Sequence, residues 1–277
     1  MARDAAADAP LADYLPRPGS DLYYAQRYAP APVRARLALL EALRGEIARV
    51  PASCSNAEIA QTKLAWWREE IARLAEAAPR HVLTRALAPQ LAALPALPAA
   101  AFALIDGTAA LLAAPRHPTR AARYAAFDAA HGPLWEIVNT ETATLDDAAA
   151  QQARLLGSRV EEAYALRDTR RLVAGGVGLL AQDTVSAVAQ ETSTALEDAD
   201  WYARVIAVDL AACREALAAG LAALPARRSL RPLATLTRLA LATLEEVAAD
   251  GCRVWERRVE LTPLRKLWIA LRERAGA

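Results

Sequence analysis

The stretch TKLAWWREEI, residues 62–71, places two tryptophans side by side, followed by an arginine and two glutamates. The stretch and the residues after it are typical of a helix, because apolar residues recur at i, i+3, i+7 and i+10 and so lie on one helical face. These residues are Leu64, Trp67, Ile71 and Leu74. Consecutive residues of a helix point about 100° apart, so Trp66 and Trp67 cannot share that face. We expect Trp67 in the core and Trp66 to one side of it.

Helical patterns account for the rest of the chain, whereas β-branched runs and Asn-Gly hairpin turns are nearly absent. Helices are predicted over 32–50, from a cap at Ser55 or Asn56 through the quoted stretch, and over 80–93, 98–114, 118–139, 145–174, 184–224, 229–257 and 262–275. Residues 1–18, rich in Ala, Asp and Pro, are predicted to be disordered or loosely docked. The sequence therefore indicates a single all-α domain over 19–277.

Composition and charge narrow the classes of function. Of the 277 residues, 55% are hydrophobic, and 33 Lys and Arg nearly balance 32 Asp and Glu. A net charge of +1 gives no overall field that would attract nucleic acid, so no nucleic-acid partner is expected. The three cysteines, Cys54, Cys213 and Cys252, lie far apart, and the N-terminus lacks a signal-peptide pattern. We expect a cytoplasmic protein with reduced thiols.

The most apolar stretch, LPAAAFALIDGTAALLAAP at 97–115, contains Asp106 and is bounded by Pro98 and Pro115. It is too short and too interrupted to span a bilayer, so we expect a buried core helix and no transmembrane segment. If this helix were less buried than expected, it could contact a membrane surface, which would make the protein peripheral to the inner membrane.

Several short motifs have ordinary structural explanations. The three histidines, His81, His117 and His131, share no metal-ligand spacing, and surface or capping roles are expected for them. The GGVG run at 175–178 lacks a preceding strand and a complete phosphate-loop pattern, so it is interpreted as a helix-breaking turn. No pattern of covalent hydrolase chemistry is present.

Paired acids receive structural roles as well. Asp146 and Asp147 are expected to cap a helix. The glutamate pairs at 161–162 and 245–246 are expected on solvated faces. ALEDAD, residues 195–200, is the nearest approach to a magnesium cluster, but surface use beside a helix bend is favoured.

Three separated segments resemble the squalene and phytoene synthases. GSDLYYAQRYAPAPVRARLALLEALRGEIARV (19–50), with the quoted helix after it, is similar to the family's N-terminal third. ARYAAFDAAHGPLWEI (122–137) and LEEVAADGCRVWERRVELTPLRKLWIAL (244–271) are similar to its middle and closing helices. The resemblance covers residues 13–275. It implies an isoprenoid-synthase-type helical bundle around a central cavity, and a packing role for the tryptophan pair.

The resemblance also implies a chemistry that joins two prenyl diphosphates head to head, with Mg²⁺ held by carboxylates on two facing helices. In this chain the first carboxylate motif is missing. Counted back from the tryptophan pair, its three aspartate positions fall on Ala48, Arg49 and Ala52, or, in a register shifted by one, on Ile47, Ala48 and Pro51. Glu46 is the only acid nearby.

The second motif is half lost. RDTRRLVAGGVGLLAQD (167–183) matches a family pattern of Arg-Asp-x-x-Glu-Asp followed by Arg-Arg-Gly-Arg. Arg167 and Asp168 are kept, whereas Arg171 and Leu172 stand at the next acidic positions. Asp168 is thus the residual candidate for a catalytic or metal-binding residue, and Arg49 and Arg171 would repel Mg²⁺. No cofactor is expected, except Mg²⁺ if the chain is an active enzyme.

Two hypotheses of function follow from this resemblance. The favoured one is a catalytically degenerate member, a pseudoenzyme with a binding or assembly role. A branch of the family that includes a mitochondrial complex I assembly factor suggests a respiratory-complex protein as partner. The alternative is an active prenyl transferase making a squalene- or phytoene-type product, in which Asp168 would hold Mg²⁺ with Glu46 or Glu162. It predicts that two or more carboxylates converge on the cavity.

A third hypothesis keeps the ligand and dispenses with the metal. Guanidinium groups match phosphate oxygens, so the chain would bind a prenyl diphosphate or phospholipid head group directly. The candidate substrate-binding residues are Ser20, Tyr23, Tyr24, Arg44, Arg49, Tyr164, Arg167, Arg170 and Arg171. The competing interpretation is that the arginines cover helix ends or pair with Glu41, Glu161 and Glu162.

Overall fold

The structure, a computed structural model, describes residues 10–113, 116–192 and 199–276. Within these ranges it contains thirteen α-helices and no strand, which confirms the predicted all-α class. The helices are α1 (Asp21–Gln26), α2 (Ala31–Ala48), α3 (Val50–Ser53), α4 (Ala57–Ala75), α5 (Val82–Leu87), α6 (Leu97–Ala113), α7 (Arg120–Thr140), α8 (Asp147–Arg167), α9 (Thr169–Ala174), α10 (Gln182–Thr192), α11 (Ala199–Ala222), α12 (Arg231–Ala249) and α13 (Pro263–Gly276).

Helix α8 is the centre of the bundle, because it packs against α7, α11 and α12. Helix α6 packs between α4 and α7 and is buried along most of its length, including Leu97, Leu104 and Ile105. The predicted core helix at 98–114 is therefore confirmed as far as Ala113, where the described part of this helix ends. Among the described helices, none combines the length and the apolar character that crossing a membrane requires.

The tryptophan pair lies on α4 as the periodicity predicts. Trp67 is 2% exposed, whereas Trp66 is half-buried and meets the Trp67 ring edge-on, with 5.1 Å between the ring centroids. Asn56 is the cap, since its side-chain oxygen accepts a hydrogen bond from the Ile59 amide. Trp67 therefore packs α4 into the core, and Trp66 packs against the edge of that core.

Glu70, in the same stretch, has a role that periodicity did not indicate. Its carboxylate is fully buried, and Oε1 accepts hydrogen bonds from the backbone N–H groups of Arg80 and His81, both at 2.8 Å. Thr84 donates to the same oxygen. A buried carboxylate with this many donors satisfies the free amides just before α5 and fixes the chain reversal between α4 and α5.

Several helix ends differ from the prediction, each for a local reason. The span 145–174 is two helices, α8 and α9, which meet at Asp168. The span 229–257 ends at Ala249, because Gly251 adopts a left-handed φ of 74°. The span 80–93 becomes α5 and a 3-10 turn at Ala88–Gln90, which contains Pro89.

Other differences concern the N-terminal part and α10–α11. Helix α1 was not predicted; the Ser20 hydroxyl oxygen caps it by accepting from the Tyr23 amide at 3.2 Å. Within 10–18, a 3-10 helix forms at Leu11–Asp13, while residues 1–9 lie outside the described residues. Over the span 184–224 the structure describes α10, which begins earlier, at Gln182, and α11. Residues 193–198, which include most of the ALEDAD stretch, lie outside the described residues.

The structural roles predicted for the acidic pair at 146–147, the GGVG run and the histidines are confirmed in part. Asp146 caps α8 by accepting from the Ala149 amide at 2.8 Å, and the GGVG run is a turn with a left-handed Gly176. His81 caps α5, since its Nδ1 accepts from the Leu83 amide. The surface role expected for the other two histidines is wrong, because His117 and His131 are both buried.

Candidate functional site

A cavity of about 940 Å³ opens between α2, α8 and α9. Helices α1 and α13 contribute further lining residues, among them Asp21 and Lys266, while α6 and α7 contribute Thr108 and Phe127. This is the central cavity that the sequence resemblance implies, and the two degenerate motifs lie on its wall.

Most of the positions at which the resemblance places metal-binding carboxylates line this cavity, but Ile47, from the shifted register of the first motif, does not. From the first motif, Ala48, Arg49, Pro51 and Ala52 contribute to the lining. From the second motif, Arg167, Asp168, Arg171 and Leu172 contribute. Asp168 is the only carboxylate among these eight residues.

Basic side chains outnumber acidic ones in the cavity lining. The basic ones are Arg17, Arg44, Arg49, Arg167, Arg171, Arg258 and Lys266. The acidic ones are Asp21, Glu161, Asp168 and Glu260. Each of these four carboxylates contacts a basic side chain, so the charge that could attract a cation is neutralised within the wall.

Arg44 and Glu161 form the most buried of these pairs. Arg44 comes from α2 and Glu161 from α8, and Arg44 also donates to Glu41 at 2.7 Å. Burial, together with the negative charge of Glu41, raises the pKa of Glu161 to about 7, although Arg44 opposes the rise. The expectation that the glutamates at 161–162 lie on a solvated face is therefore wrong. Glu162 is also buried and pairs with Arg123 at 2.9 Å.

Asp168 is held between two arginines. Arg167 Nη2 lies 2.6 Å from its Oδ2, and Arg258 Nε lies 2.6 Å from its Oδ1. Burial alone would raise the pKa of Asp168, but the hydrogen bonds and charges of these guanidinium groups outweigh it and hold the pKa below its ordinary value. The carboxylate that the resemblance offers as a metal ligand is therefore occupied by cationic donors on both oxygens.

Asp21 and Tyr164 form a third polar contact in the wall. The Tyr164 hydroxyl donates to Asp21 Oδ2 at 2.8 Å, and Lys266 Nζ lies 2.8 Å from Oδ1 of the same carboxylate. Burial raises the pKa of Tyr164 well above its ordinary value, and the charge of Asp21 adds to that shift. Tyr164 is consequently a neutral phenol, and its hydroxyl proton is donated in a hydrogen bond to Asp21.

These residues do not fit Mg²⁺, the metal that the resemblance implies. The ion needs several free oxygen ligands, usually carboxylates, at one point. The cavity carboxylates are bonded to Arg44, Arg167, Arg258 and Lys266 instead. Over the ranges that the structure describes, no three His, Cys, Asp or Glu side chains group as a metal site would require.

The acids that would have to assist Asp168 in an active enzyme do not reach the cavity. Glu46 is bonded to Arg49 at 2.6 Å, and Glu162 is bonded to Arg123 in the core. Neither belongs to the cavity lining. Carboxylates do converge on the cavity, as the enzyme hypothesis predicts, but they are not these acids and they are not available to a cation.

Six of the nine candidate substrate-binding residues line the cavity, namely Ser20, Arg44, Arg49, Tyr164, Arg167 and Arg171. The other three do not. Tyr24 packs on the small cluster of Leu239, Ala242 and Leu261, Tyr23 lies against Tyr24 and below Arg27, and Arg170 points outward and donates to the Glu256 carbonyl oxygen.

Sequence reasoning missed Arg17, Asp21, Arg258 and Lys266. Asp21 and Lys266 both lie in the quoted segments, but nothing in the sequence pattern indicates that they meet.

The chain was compared with known proteins. The sequence profile of the squalene/phytoene synthase family matches residues 15–265. This chain belongs to the squalene/phytoene synthase family. Among solved structures, the crystal structure of squalene synthase HpnC from Alicyclobacillus acidocaldarius superposes on 83% of this chain and 88% of its own, with a TM-score of 0.64 and 16% identity. No curated protein matches this sequence.

Membership of the squalene/phytoene synthase family accounts for the position of the cavity and of the two motifs on its wall. The likeness to squalene synthase HpnC, at 16% identity, shows a shared isoprenoid-synthase fold. Family membership thus fixes the architecture, while the side chains in the cavity wall decide which chemistry it can support.

Proposed function

We propose that this protein is a catalytically degenerate squalene/phytoene synthase relative whose cavity has a binding or assembly role. One observation carries the proposal. The expected metal-binding positions that line the cavity hold Ala, Pro, Arg and Leu, apart from Asp168, and that one acid is bonded to Arg167 and Arg258. Without free carboxylates, the site lacks the ligands that would draw Mg²⁺ onto a diphosphate.

The first test is release of pyrophosphate from farnesyl and geranylgeranyl diphosphate, with and without Mg²⁺ or Mn²⁺, next to an active family member. No release, with the active member turning over, is expected. Metal-dependent release accompanied by a hydrocarbon product would instead establish the prenyl transferase, and Asp168 would then be the first residue to substitute.

A second candidate function, metal-independent binding of an anionic head group, is favoured by unpaired cations in the cavity. Within the described part of the chain, the side chains of Arg17 and Arg171 have no ion-pair or hydrogen-bond partner, and both line the cavity. Arg49 is 58% exposed although it contacts Glu46. These guanidinium groups suit phosphate oxygens. The ligand would be a prenyl diphosphate or a phospholipid.

Neighbouring arginines provide a matched test of this binding. Arg171→Ala and Arg49→Ala are expected to lower the affinity for farnesyl diphosphate, measured calorimetrically in EDTA, by about tenfold each, as for loss of one charge-assisted hydrogen bond. Arg170→Ala removes an equal charge next to Arg171 but outside the cavity, so the affinity should be unchanged. Equal affinity in all three variants would contradict direct phosphate binding.

We also propose a cytoplasmic location, because Cys54, Cys213 and Cys252 are all free thiols. A respiratory-complex protein remains the proposed type of macromolecular partner, on the basis of the degenerate branch that the sequence resembles. Co-purification from cells at native expression level, with the partner's identity read by mass spectrometry, tests this proposal.

A further inference from the structure

Helix α13 carries an apolar stripe on its outer face. Leu264, Trp268 and Leu271 are 80%, 61% and 40% exposed. Their spacing of i, i+4 and i+7 places them on one side of the helix, within about 60° of one another. Large apolar side chains in one exposed row are rare on a protein that functions alone in water.

The opposite face of α13 is already packed, so the stripe is not a misplaced core face. Lys266, Ala270 and Glu273 are buried there. Lys266 is bound to Asp21 at 2.8 Å and to the Gly19 carbonyl oxygen at 3.1 Å. These contacts fix the rotation of the helix about its axis, and with it the outward direction of the stripe.

Arginines border the stripe on both sides. At about 100° per residue, Arg265 and Arg272 project to one side of the row and Arg274 to the other. Arg272 and Arg274 are exposed, while Arg265 is paired with Glu246. The single acid of the helix, Glu273, points inward, where Arg227 and Arg238 bind it. The outer face of α13 is therefore apolar along its middle and cationic along its edges.

We propose that α13 docks on the surface of a membrane that contains anionic lipids. The leucines and the tryptophan would enter the boundary between head groups and acyl chains, and the arginines would contact lipid phosphates. A second copy of this chain is a poorer occupant, because a two-fold contact through this face would bring the arginines of both copies together.

Docking through α13 would also place the cavity next to the lipid. Lys266, on the inner face of the same helix, lines the cavity together with Gly19 and Asp21. The docking itself needs no ligand in the cavity, so it stands or fails independently of the proposed function.

Sedimentation with vesicles tests the docking on the full chain. Wild-type protein is expected to sediment with vesicles of equal phosphatidylcholine and phosphatidylglycerol, and to remain in solution with phosphatidylcholine alone. Trp268→Ser should weaken binding by about tenfold, as for loss of roughly 60 Å² of buried apolar area. Arg272→Gln with Arg274→Gln should weaken it by about 25-fold, or about fivefold per charge.

Val208→Ser is the matched control, since Val208 is another exposed apolar residue, 41% accessible, on α11. It should bind as wild type does, and thermal unfolding should show that all variants are folded. Failure of the wild type to bind anionic vesicles, or equal binding by the tryptophan and arginine variants, would overturn the proposal. A dimer in sedimentation equilibrium that Trp268→Ser dissociates would also overturn it, by assigning the face to a second copy.

Discussion

Arg44 on α2 and Glu161 on α8 form a buried ion pair, although 117 residues separate them in the sequence. Both side chains line the central cavity. A guanidinium group thus bridges α2 and α8 at the cavity wall. Arg44 also pairs with Glu41, so the charges of this part of the wall are already bonded to one another.

We expect Arg44→Met to destabilise the protein by about 3–5 kcal/mol at pH 8, because it leaves Glu41 and Glu161 buried without their cation. Urea unfolding measures this cost. Arg49→Ala serves as the control, since its pair with Glu46 is largely exposed on the arginine side and should be worth less than about 1 kcal/mol. A similar cost for both variants would contradict a special role for the buried pair.

The cost of Arg44→Met should also depend on pH. The pKa of Glu161 is about 7 in the folded protein, above its ordinary value, and loss of Arg44 removes the charge that holds it down. An acid whose pKa is raised by folding destabilises the fold progressively as the pH rises through that range. Both proteins should lose stability as the pH rises towards 7, but above pH 7 the wild-type loss should level off while that of the variant continues, and adding Glu161→Gln should abolish this further loss.

Asp168 should stabilise the fold in the opposite range of pH. Because Arg167 and Arg258 hold its pKa below the ordinary value of 3.8, its contribution is complete above that value and disappears as the pH falls through the folded-state pKa. The difference in unfolding free energy between wild type and Asp168→Asn should be constant from pH 8 to pH 5 and narrow below about pH 4. A gap that widens in acid would contradict the assignment.

Glu70→Gln is expected to cost about 2–4 kcal/mol of unfolding free energy. A neutral amide oxygen is a weaker acceptor for the Arg80 and His81 amides, and the new NH₂ group faces donors such as Arg73. Glu69→Gln is the control, because Glu69 is 71% exposed and its pair with Arg73 is long, at 3.5 Å. Chemical denaturation followed by circular dichroism compares the two, and equal effects would show that the buried cap is unimportant.

Gly175→Ala should destabilise the junction between the two degenerate motifs. A Cβ at this position would lie 2.2 Å from the Pro51 carbonyl oxygen, so α9 or α3 must shift. Gly45, on the cavity wall in α2, has no atom within 4 Å of its added Cβ. Gly45→Ala should therefore stabilise the helix by up to about 1 kcal/mol. Thermal unfolding would contradict the close approach if both substitutions had the same sign.

Many features of the fold can be predicted from the pattern of residues that are close in the sequence. The stripe that includes Trp67, the caps at Asn56 and Asp146, and the turn at 175–178 are all as predicted, because each depends on residues within one or two turns of helix. The helix ends that were wrong depend on single backbone conformations, such as the left-handed Gly251. A periodicity window averages over such positions and so extends the helix past them.

Some residues of the candidate site can likewise be predicted from the sequence, and others cannot. The alignment found the segments that line the cavity, including Arg49, Asp168 and Arg171, because sequence order within a family maps onto position in the fold. Tyr23 and Tyr24 are predicted to line the approach to the ligand, and Arg170 to bind phosphate, but none of the three lines the cavity, because neighbouring helical residues point in different directions. The glutamates at 161–162 were expected in solvent because an isolated acid is rarely buried, and their partners lie on other helices.

The sequence by itself determined the all-α class, the family, the position of the two motifs and the loss of their carboxylates, since these are properties of residue type and order. Only the tertiary structure decided that Arg44 meets Glu161, that Asp168 lies between Arg167 and Arg258, and that Lys266 reaches Asp21. Charges pair across helices according to the distance and burial that packing creates, and no local pattern encodes those distances.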